Sequence, residues 1–586
     1  RCLLGEARLK EIHFQPQICA CEILCTNSDA PNTCAGMGIN MSKMKKTMIG
    51  LLLVFAIVIA LVLIPGNDVK NYKEKYTDAV NLNIDVGGIG REDTYAKYLE
   101  MHSNAARPVG NIEVDILNLV KSEGTEILAE YEGMENVVYT SENSYAEWQV
   151  NIPEAGMYQV YMEYYPIKSR GVDIERKFYI NGEIAFIGAD ALSFSRLWTN
   201  KTEVFQDNQG NDIRPSQIDL PDWTGAYFKD DLGYYTEPYT FYFEEGMNNI
   251  ALEAMNEPVV IKKLTLKGIS EKPSYSEYRE SMPVVQASET SLNFKKVIQG
   301  EDSTLRSSPS LYAIYDRSAP NTEPYSVSKI RLNMIGGNAW RVPGQWIEWE
   351  FEVPEDGYYN IAIKGRQNYQ RGFVSTRILY IDGKIPFSEV GDISFQYSNQ
   401  WESISLDDTE GIPFEFYLTE GKHTIRMEVT LGYMGQVLND MQDSVYRLNE
   451  IYRKILVLTG SNPDRYRDYK IEQIYPEVIE GMELESKRLY KLIDEIIAYT
   501  GQNGGQAASL LTLAEQLEKF VDRPDKIPVS FTNFKENISA LGTAILTLSE
   551  SPLDIDYITI TGIDAKPDKV KATFLNKAVH GVKSFI

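Results

Sequence analysis

The chain has 586 residues, of which 43% are hydrophobic, and its formal net charge is −25. A chain of this length can build several separate hydrophobic cores, so we expect three or four domains. An acidic surface repels phosphate backbones, and the lysines and arginines do not gather into one stripe. The composition therefore argues against a nucleic-acid partner.

Residues 1–40 differ from the rest of the chain. They contain all of its cysteines, which are Cys2, Cys19, Cys21, Cys25 and Cys34. The segment has no hydrophobic periodicity and no CxxC pair with a matching partner, which argues against a metal site. We interpret residues 1–40 as spurious upstream translation, with the start of the protein at Met41 or Met44.

Residues 41–66 have the pattern of a signal anchor. Lys43, Lys45 and Lys46 precede the 18 uncharged residues 47–64, which as a helix would span roughly 27 Å. The positive-inside rule places the bulk of the chain outside the cell. A cleaved signal peptide is the alternative, although no A-x-A site follows. We expect a single-pass transmembrane helix in the cell membrane and, after it, a stalk with some helix over residues 67–125.

An internal repeat defines two modules. The segment "WQVNIPEAGMY" at 148–158 matches "WEFEVPEDGYY" at 349–359, and "RKFYINGEIAF" at 176–186 matches "RILYIDGKIPF" at 377–387, both at an offset of 201 (349 minus 148). Asn181-Gly182 and Asp382-Gly383 lie between β-rich runs and predict type I′ hairpins. We expect two jelly-roll β-sandwiches, module one at 126–269 and module two beginning at 291, joined by a linker at 270–290.

The repeat continues with two changes of offset. "PYTFYFEEG" at 238–246 matches "PFEFYLTEG" at 413–421 at an offset of 175 (413 minus 238), so module one carries 26 extra residues before this point (201 minus 175). "PVVIKKLTLKGI" at 258–269 then returns as "PLDIDYITITGI" at 552–563, at an offset of 294 (552 minus 258). Module two therefore contains an insertion before its closing strand.

The insertion has the pattern of helices. Apolar residues recur every three or four positions from Val437 to Leu548, and breakers lie at 460–463, at 501–505 and at Pro524 and Pro528. We expect a four-helix bundle over residues 433–551, placed between the two parts of module two, 291–432 and 552–563. The fold class is thus mainly β with an α insertion.

No catalytic motif stands out. The three histidines after Met41 are widely separated, and no G-x-S-x-G, H-E-x-x-H or phosphate loop occurs. Paired carboxylates are too abundant at this acidity to single out a glycosidase pair. We therefore expect no enzyme activity in this segment.

Aromatic residues in loop-like segments are the candidate ligand-binding residues. Their faces can stack on the C–H faces of sugar rings. The candidates are Trp198, Trp223, Tyr227, Tyr235, Trp346 and Trp401. The alternative is that these side chains fill the ends of the sandwiches. Trp148 and Trp349, which begin the repeated strands, are expected in the cores.

The β-rich repeats resemble jelly-roll carbohydrate-binding modules. "ILAEYEG" at 127–133 resembles the acidic opening strand with which such modules often hold a structural calcium ion, and Glu130 and Glu132 match its two acids. Module two has Gln299 and Glu301 at the matching places, which puts calcium there in doubt.

A second resemblance covers about residues 125–586. "DNQGNDIRPSQIDLPDW" at 207–223, "YYTEPYTFYFEEGMNNIALE" at 234–253, the inserted bundle and the closing "DYITITG" resemble the amino-terminal region of large extracellular solute-binding proteins of Firmicutes ABC sugar importers. In that family a two-lobed solute-binding domain follows, so residues 564–586 would be its truncated start.

The resemblance implies a membrane-anchored carbohydrate-binding region of a Gram-positive cell surface, with an oligo- or polysaccharide and the ABC permease subunits as partners and no catalysis. Two alternatives stay open. The modules are accessories of a cell-surface glycoside hydrolase, or they are a structural spacer that docks a receptor without binding sugar.

Overall fold

The computed structural model describes residues 93–286, 288–501 and 505–565. The expected upstream segment 1–40, the anchor at 47–64 and nearly all of 564–586 lie outside the described residues. Among the helices that are described, none is long and apolar enough to cross a membrane.

Module one is a ten-stranded antiparallel sheet that wraps around one hydrophobic core, preceded by helix α1 (Tyr95–Met101). Its chain segment also contains four short strands, β7 to β10, which lie outside this sheet. The strands are β1 (Asn111–Glu113), β2 (Leu119–Tyr131), β3 (Met134–Ile152), β4 (Gly156–Pro166), β5 (Ile174–Ile180), β6 (Leu192–Phe194), β7 (Trp198–Asn200), β8 (Phe205–Gln206), β9 (Asp212–Ile213), β10 (Gln217–Asp219), β11 (Thr224–Tyr227), β12 (Thr240–Phe243), β13 (Gly246–Ala254) and β14 (Val259–Gly268).

Module two is a sandwich of two sheets with a shared core. Its first part comprises α2 (Tyr275–Ser281), α3 (Glu289–Leu292), β15 (Lys295–Gln299), β16 (Leu305–Arg306), β17 (Ala313–Ile314), β18 (Met334–Gly337), β19 (Trp346–Val353), β20 (Gly357–Arg366), β21 (Val374–Ile381), β22 (Ile393–Gln396), β23 (Glu402–Ser405), β24 (Phe416–Leu418) and β25 (Gly421–Thr430). Trp148 and Trp349 are fully buried in the two cores, which confirms their predicted placement.

The repeated hairpin turns have the predicted backbone. Asn181 and Gly182 have φ values of 51° and 86°, and Asp382 and Gly383 have values of 48° and 74°. A type I′ turn requires two successive positive φ angles, which Asn, Asp and Gly tolerate best. The same two-residue turn therefore fixes the same hairpin in both modules.

The structure extends the repeat towards the amino terminus. Helix α1 lies in "TYAKYLE" at 94–100 and helix α2 in "SYSEYRE" at 274–280, an offset of 180 (274 minus 94). In α1, Tyr95 and Tyr98 accept hydrogen bonds from main-chain N–H groups of β12. In α2, Tyr275 and Tyr278 accept the equivalent bonds from Glu415 and the β24 residue Tyr417.

Two predicted boundaries are corrected by these helices. Tyr95 and Tyr98 belong to the core of module one, so the described residues 94–125 are part of that module and not of a stalk. Tyr278 belongs to the core of module two, so the segment predicted as a linker, 270–290, contains the first helix of module two. The Pro, Ser and charged residues of "SEKPSYSEYRESMP" are typical of a linker. The helix was missed because two tyrosines within seven residues are only a weak signal of a core helix.

The insertion contains four long helices and one short helix. They are α4 (Tyr433–Thr459), α5 (Ile471–Ile474), α6 (Pro476–Thr500), α7 (Gly505–Asp522) and α8 (Phe531–Leu548). Their apolar stripes meet in one core cluster, which includes Leu448, Leu489, Leu513 and Leu541. The helical periodicity thus predicted the bundle correctly, because stripes of this kind are stable only when they face one another.

The strand after the insertion returns to module two. Strand β26 (Leu553–Gly562) is antiparallel to β20 on one side and to β15 and β18 on the other. Nine of its ten residues are buried, as expected for a central strand covered on both faces. The pairing that the repeated sequence predicts for this segment is therefore present in the structure.

A buried arginine fixes the chain where it enters each closing strand. In module one, Arg176 donates hydrogen bonds to the main-chain oxygens of Asn256 (2.7 Å) and Glu257 (2.9 Å), just before β14. In module two, Arg377 donates to the main-chain oxygen of Ser551 (2.8 Å), just before β26. Both arginines are fully buried. The same contact therefore survives an insertion of more than a hundred residues.

The extra loop of module one joins the two modules. Strands β7 and β10 pair with each other, and β7 pairs with β16, so that both extend a sheet of module two. The guanidinium group of Arg306 donates a hydrogen bond to the side chain of Asn200 (2.8 Å) and another to that of Gln217. Tyr234, further along the same segment, packs against the core of the bundle. One segment of module one therefore contacts both other parts.

We predict that Arg377→Leu destabilises module two together with its bundle by at least about 3 kcal/mol, since several buried carbonyl groups lose a charged donor. Hydrogen exchange followed by mass spectrometry should show faster exchange in 553–562, while 259–268 in module one stays protected. Arg176→Leu is the matched control and should reverse this pattern. Equal loss of protection in both strands would contradict the prediction.

Candidate functional site

The six aromatic residues predicted as ligand contacts do not form one site. Trp346 and Trp401 are 5% and 2% exposed. The guanidinium of Arg426 lies 3.8 Å from the centre of the Trp346 ring, and that of Arg366 lies 4.5 Å from the centre of the Trp401 ring. Neither ring offers a free face to a ligand. Their burial favours the alternative role as packing residues, and we do not propose a ligand role for them.

Trp198 and Tyr235 lie at junctions between parts of the protein. Trp198 is the residue of β7 that pairs with β16 of module two. The Tyr235 hydroxyl accepts a hydrogen bond from the side chain of Asn439 in α4, and its ring meets that of Tyr95 edge to face at 4.8 Å. These contacts hold the assembly together, which explains aromatic residues in the extra loop without a ligand.

Trp223 and Tyr227 lie on one surface, the outer face of the sheet of module one. Strand β11 runs antiparallel to β4, with Tyr227 opposite Tyr161. The ring centres of Tyr161 and Tyr227 are 4.9 Å apart, and those of Tyr165 and Trp223 are 5.3 Å apart. Tyr131 adds a further edge contact to Tyr165, also at 5.3 Å. We call these five residues, Tyr131, Tyr161, Tyr165, Trp223 and Tyr227, the aromatic face.

The alternation of β4 explains why these rings point outward. Tyr158, Val160, Met162 and Tyr164 belong to the core of module one, and the residues between them are partly exposed. Successive side chains of a strand point to opposite faces. Tyr161 and Tyr165 are therefore on the side away from the core.

Polar groups fix the positions of the rings. The indole Nε1 of Trp223 donates a hydrogen bond to the main-chain oxygen of Glu132 (3.1 Å), in the turn between β2 and β3. Lys267 lies with its Nζ 3.8 Å from the centre of the Tyr161 ring and 3.2 Å from the Tyr227 hydroxyl oxygen, to which it donates. Between the two ring pairs, Gly225 lies opposite Glu163. The aromatic face thus carries an amine and a carboxylate beside its rings.

Burial raises the pKa of the hydroxyl groups of Tyr161 and Tyr165. Both hydroxyls consequently stay protonated at neutral pH and can donate hydrogen bonds. Together with the Lys267 ammonium and the Glu163 carboxylate, the surface offers ring faces, donors and acceptors, which are the groups that bind a sugar ring.

Of this surface, only Trp223 and Tyr227 were predicted from the sequence. The other members of the surface lie in predicted strands, where aromatic residues usually pack into a core, so the sequence did not single them out. These are Tyr131, Tyr161 and Tyr165, with the neighbouring Lys267. The two-residue spacing of Tyr161, Glu163 and Tyr165 opposite the core positions was the available signal.

The two glutamates predicted from "ILAEYEG" to hold calcium lie on the surface of module one. Glu130 is an exposed residue of β2, and Glu132 is exposed in the turn that follows. Within the part of the chain that the structure describes, no group of three or more His, Cys, Asp or Glu side chains is placed to hold a metal. A calcium role for Glu130 and Glu132 stays a prediction. The main-chain oxygen of Glu132 positions Trp223.

The structural counterpart of Gln299 and Glu301 lies elsewhere. Trp349 donates its indole hydrogen to the main-chain oxygen of Gly300 (3.0 Å), and Trp148 donates to that of Ile116 (2.8 Å). Strands β1 and β15 also pair with the closing strands at corresponding positions. The residues next to Ile116, not Glu130 and Glu132, therefore match the opening strand of module two.

Glu301 is a buried carboxyl group in this opening segment. Burial raises its pKa to about 9, and the carboxylates of Asp302 and Asp556 act in the same direction. Asp556 has its own cation, since the Lys364 ammonium lies 2.8 Å from its carboxylate. The Lys364 ammonium thus supplies the positive charge in this cluster of buried carboxyl groups, which contains Asp556 and Glu301.

We predict that Glu301→Gln stabilises module two at alkaline pH. The folded-state pKa of about 9 lies above the ordinary value of 4.5, so the carboxyl group costs stability increasingly as the pH rises between these values. The gain should be at least about 1 kcal/mol at pH 8 and close to zero at pH 4. Thermal unfolding at both pH values checks this, with the exposed Glu352→Gln as control. An equal gain at pH 4 would contradict the assignment.

Comparison with known proteins adds two kinds of finding. No curated protein sequence matches the chain significantly. Among solved structures, a family 35 carbohydrate-binding module from Clostridium thermocellum is 13% identical over 28% of this chain and 100% of its own, with a TM-score of 0.17. The Podospora anserina GH26-CBM35 β-(1,4)-mannanase is 12% identical over 28% of this chain, with a TM-score of 0.18, and the match spans only 29% of the mannanase chain.

The bundle itself matches a sequence family. Residues 436–548, from the first turn of α4 to the end of α8, match the family described as "Bacterial solute-binding protein, 4-helix bundle domain".

Proposed function

We propose that this chain is a non-catalytic carbohydrate-binding region of an extracellular solute-binding protein that serves an ABC sugar importer of a Gram-positive bacterium. The aromatic face of module one is the observation that carries the binding role. The match of residues 436–548 to a domain of bacterial solute-binding proteins supports the transport context. The basic residues and the apolar run at 47–64 support anchoring in the cell membrane, with the bulk of the chain outside.

The arrangement of the rings suits a sugar chain lying along β4 and β11. The ring of Tyr161 lies over Gly225, where a Cβ atom would come within 2.1 Å of the Tyr161 hydroxyl oxygen. The glycine therefore lets this ring lie against β11. Each stacked ring contributes on the order of 1 kcal/mol beyond the burial of area, so a single face of this kind binds weakly and reversibly. Weak binding is suitable for a protein that must release its ligand to a permease.

Module two does not repeat the aromatic face. At the offset of 201, Tyr161 and Tyr165 correspond to Ala362 and Arg366 of β20. The Arg366 guanidinium is committed to Asp316 (2.8 Å) and Asp554 (3.0 Å). Sugar binding is therefore assigned to module one, and module two supports the bundle.

A glycoside hydrolase that uses these modules as accessories is the second candidate, and a spacer without sugar binding is the third. The coding sequence beyond Ile586 and its neighbouring genes separate the first two. A two-lobed receptor domain beside permease genes agrees with the importer, whereas a hydrolase domain would replace that assignment.

We predict that Trp223→Ala and Tyr165→Ala each weaken binding of the chain to its oligosaccharide by about tenfold, because each removes one stacking surface worth on the order of 1 kcal/mol. A glycan array identifies the ligand, and isothermal titration calorimetry measures the affinity. Trp223→Phe should retain part of the binding.

Tyr466→Ala is the control, since Tyr466 is 99% exposed and lies in the bundle, away from β11. It should leave the affinity unchanged. Wild-type affinity in both aromatic-face variants would remove the carbohydrate role from this surface and leave the spacer as the better account.

A further inference from the structure

A pocket lies in the bundle, where the beginning of α4 meets the end of α6. It is a shallow depression that is open to solvent, with a volume of about 480 Å³. It is lined by Tyr433, Lys491, Asp494, Glu495, Ala498 and Tyr499. None of these residues belongs to the aromatic face, so the pocket is a separate feature of the chain.

Two tyrosine rings form the apolar walls of the pocket. The ring centres of Tyr433 and Tyr499 are 5.6 Å apart, and the ring planes are inclined by 32°. Tyr433 is 47% exposed, although it is the first residue of a long helix beside a well-packed core. The two rings therefore pack against each other, and the Tyr433 ring keeps an accessible face.

The remaining lining supplies a donor and two acceptors. Lys491 and Glu495 lie one helical turn apart on α6 and form an ion pair of 3.1 Å. Asp494 adds a second carboxylate beside them. The pocket thus carries one more negative than positive charge, which disfavours an anionic ligand.

Module two fixes one wall of the pocket. The carboxyl group of Asp392 accepts a hydrogen bond from the main-chain N–H of Tyr433. A side chain at Gly432 would approach an oxygen of Asp392 to 2.5 Å, so the glycine allows this close contact. The Tyr433 backbone is therefore held by a residue that lies outside the bundle, which fixes the position of the Tyr433 ring before a ligand arrives.

We propose that this pocket binds a neutral mono- or disaccharide, with the exposed Tyr433 ring against a face of the sugar and Lys491, Asp494 and Glu495 towards the hydroxyl groups. The proposal deepens the proposed function, on which it rests for its class of ligand. It gives the bundle a recognition role that is independent of the aromatic face.

The test uses the full chain carrying Trp223→Ala, so that binding at the aromatic face is weakened. Cellobiose, maltose, mannobiose and isomaltose are titrated by calorimetry, and contacts are mapped by saturation-transfer NMR. We expect residual binding of at least one disaccharide, and a further loss of about tenfold when Tyr433→Ala is added. Glu495→Gln should also weaken this binding. Tyr433→Phe should preserve it, and Tyr466→Ala is the matched control.

Each outcome separates the two sites. No residual binding, or residual binding that is unchanged by both Tyr433→Ala and Glu495→Gln, would overturn the pocket proposal while leaving the aromatic face intact. Loss of binding with Tyr433→Ala but not with Trp223→Ala would support the pocket and remove the aromatic face. Because Tyr433→Ala removes a half-exposed ring, circular dichroism of this variant should show unchanged helix content. Binding of tetramethylammonium without any disaccharide would show a site for cations instead, and would also overturn the proposal.

Discussion

A buried guanidinium group that holds the main chain before the last strand is the constraint on which the architecture depends. In module two, two residues separate the end of β25 from the bundle, and four residues separate the bundle from β26. Arg377 binds the main-chain oxygen of Ser551 inside that second connection, and the hydroxyl of Ser375 donates to the oxygen of Pro552 (2.7 Å). The carboxyl-terminal end of the bundle is thereby tied to the sandwich by buried hydrogen bonds.

The sandwich tolerates such a large insertion because the insertion costs it little. The entropy cost of closing a loop grows slowly with its length, and a bundle with its own core brings its own stabilisation. What the sandwich requires is that β26 enters at the correct register. Arg377 ensures this in module two as Arg176 does in module one, and the pairing of β26 on both sides completes it.

The features that follow a local rule were predictable from the sequence. The Asn-Gly and Asp-Gly turns, the helical stripes of the bundle and the repeated closing strand each follow from periodicity or turn chemistry, and the structure contains them. The buried positions of Trp148 and Trp349 followed from their places in the repeat.

The features that depend on long-range packing were not predictable. Trp401 has the loop-like surroundings of a ligand contact, yet it is buried because Arg366 and Asp316 cover it from distant segments. The opening strand was assigned to Glu130 and Glu132 because their spacing matched a family pattern, whereas strand pairing places it before Ile116. Similarly, the sequence shows that module one has 26 extra residues in one loop. It does not show that this loop extends a sheet of module two.

The two modules show how one fold supports different roles. Their cores keep the same tryptophan, the same buried arginine and the same helix with two tyrosines, all of which lie on the inside or at the closing strand. Their outer faces differ at the equivalent strands β4 and β20. The positions of Tyr161 and Tyr165 in module one are occupied by Ala362 and Arg366 in module two. Arg366 is charged and pairs with Asp554 of β26, so the very position that presents a ring in module one stabilises the closing strand in module two. Because Arg366 is bound to Asp554, it is not available to a ligand. Module two, which supports the bundle, therefore has no counterpart of the aromatic face of module one.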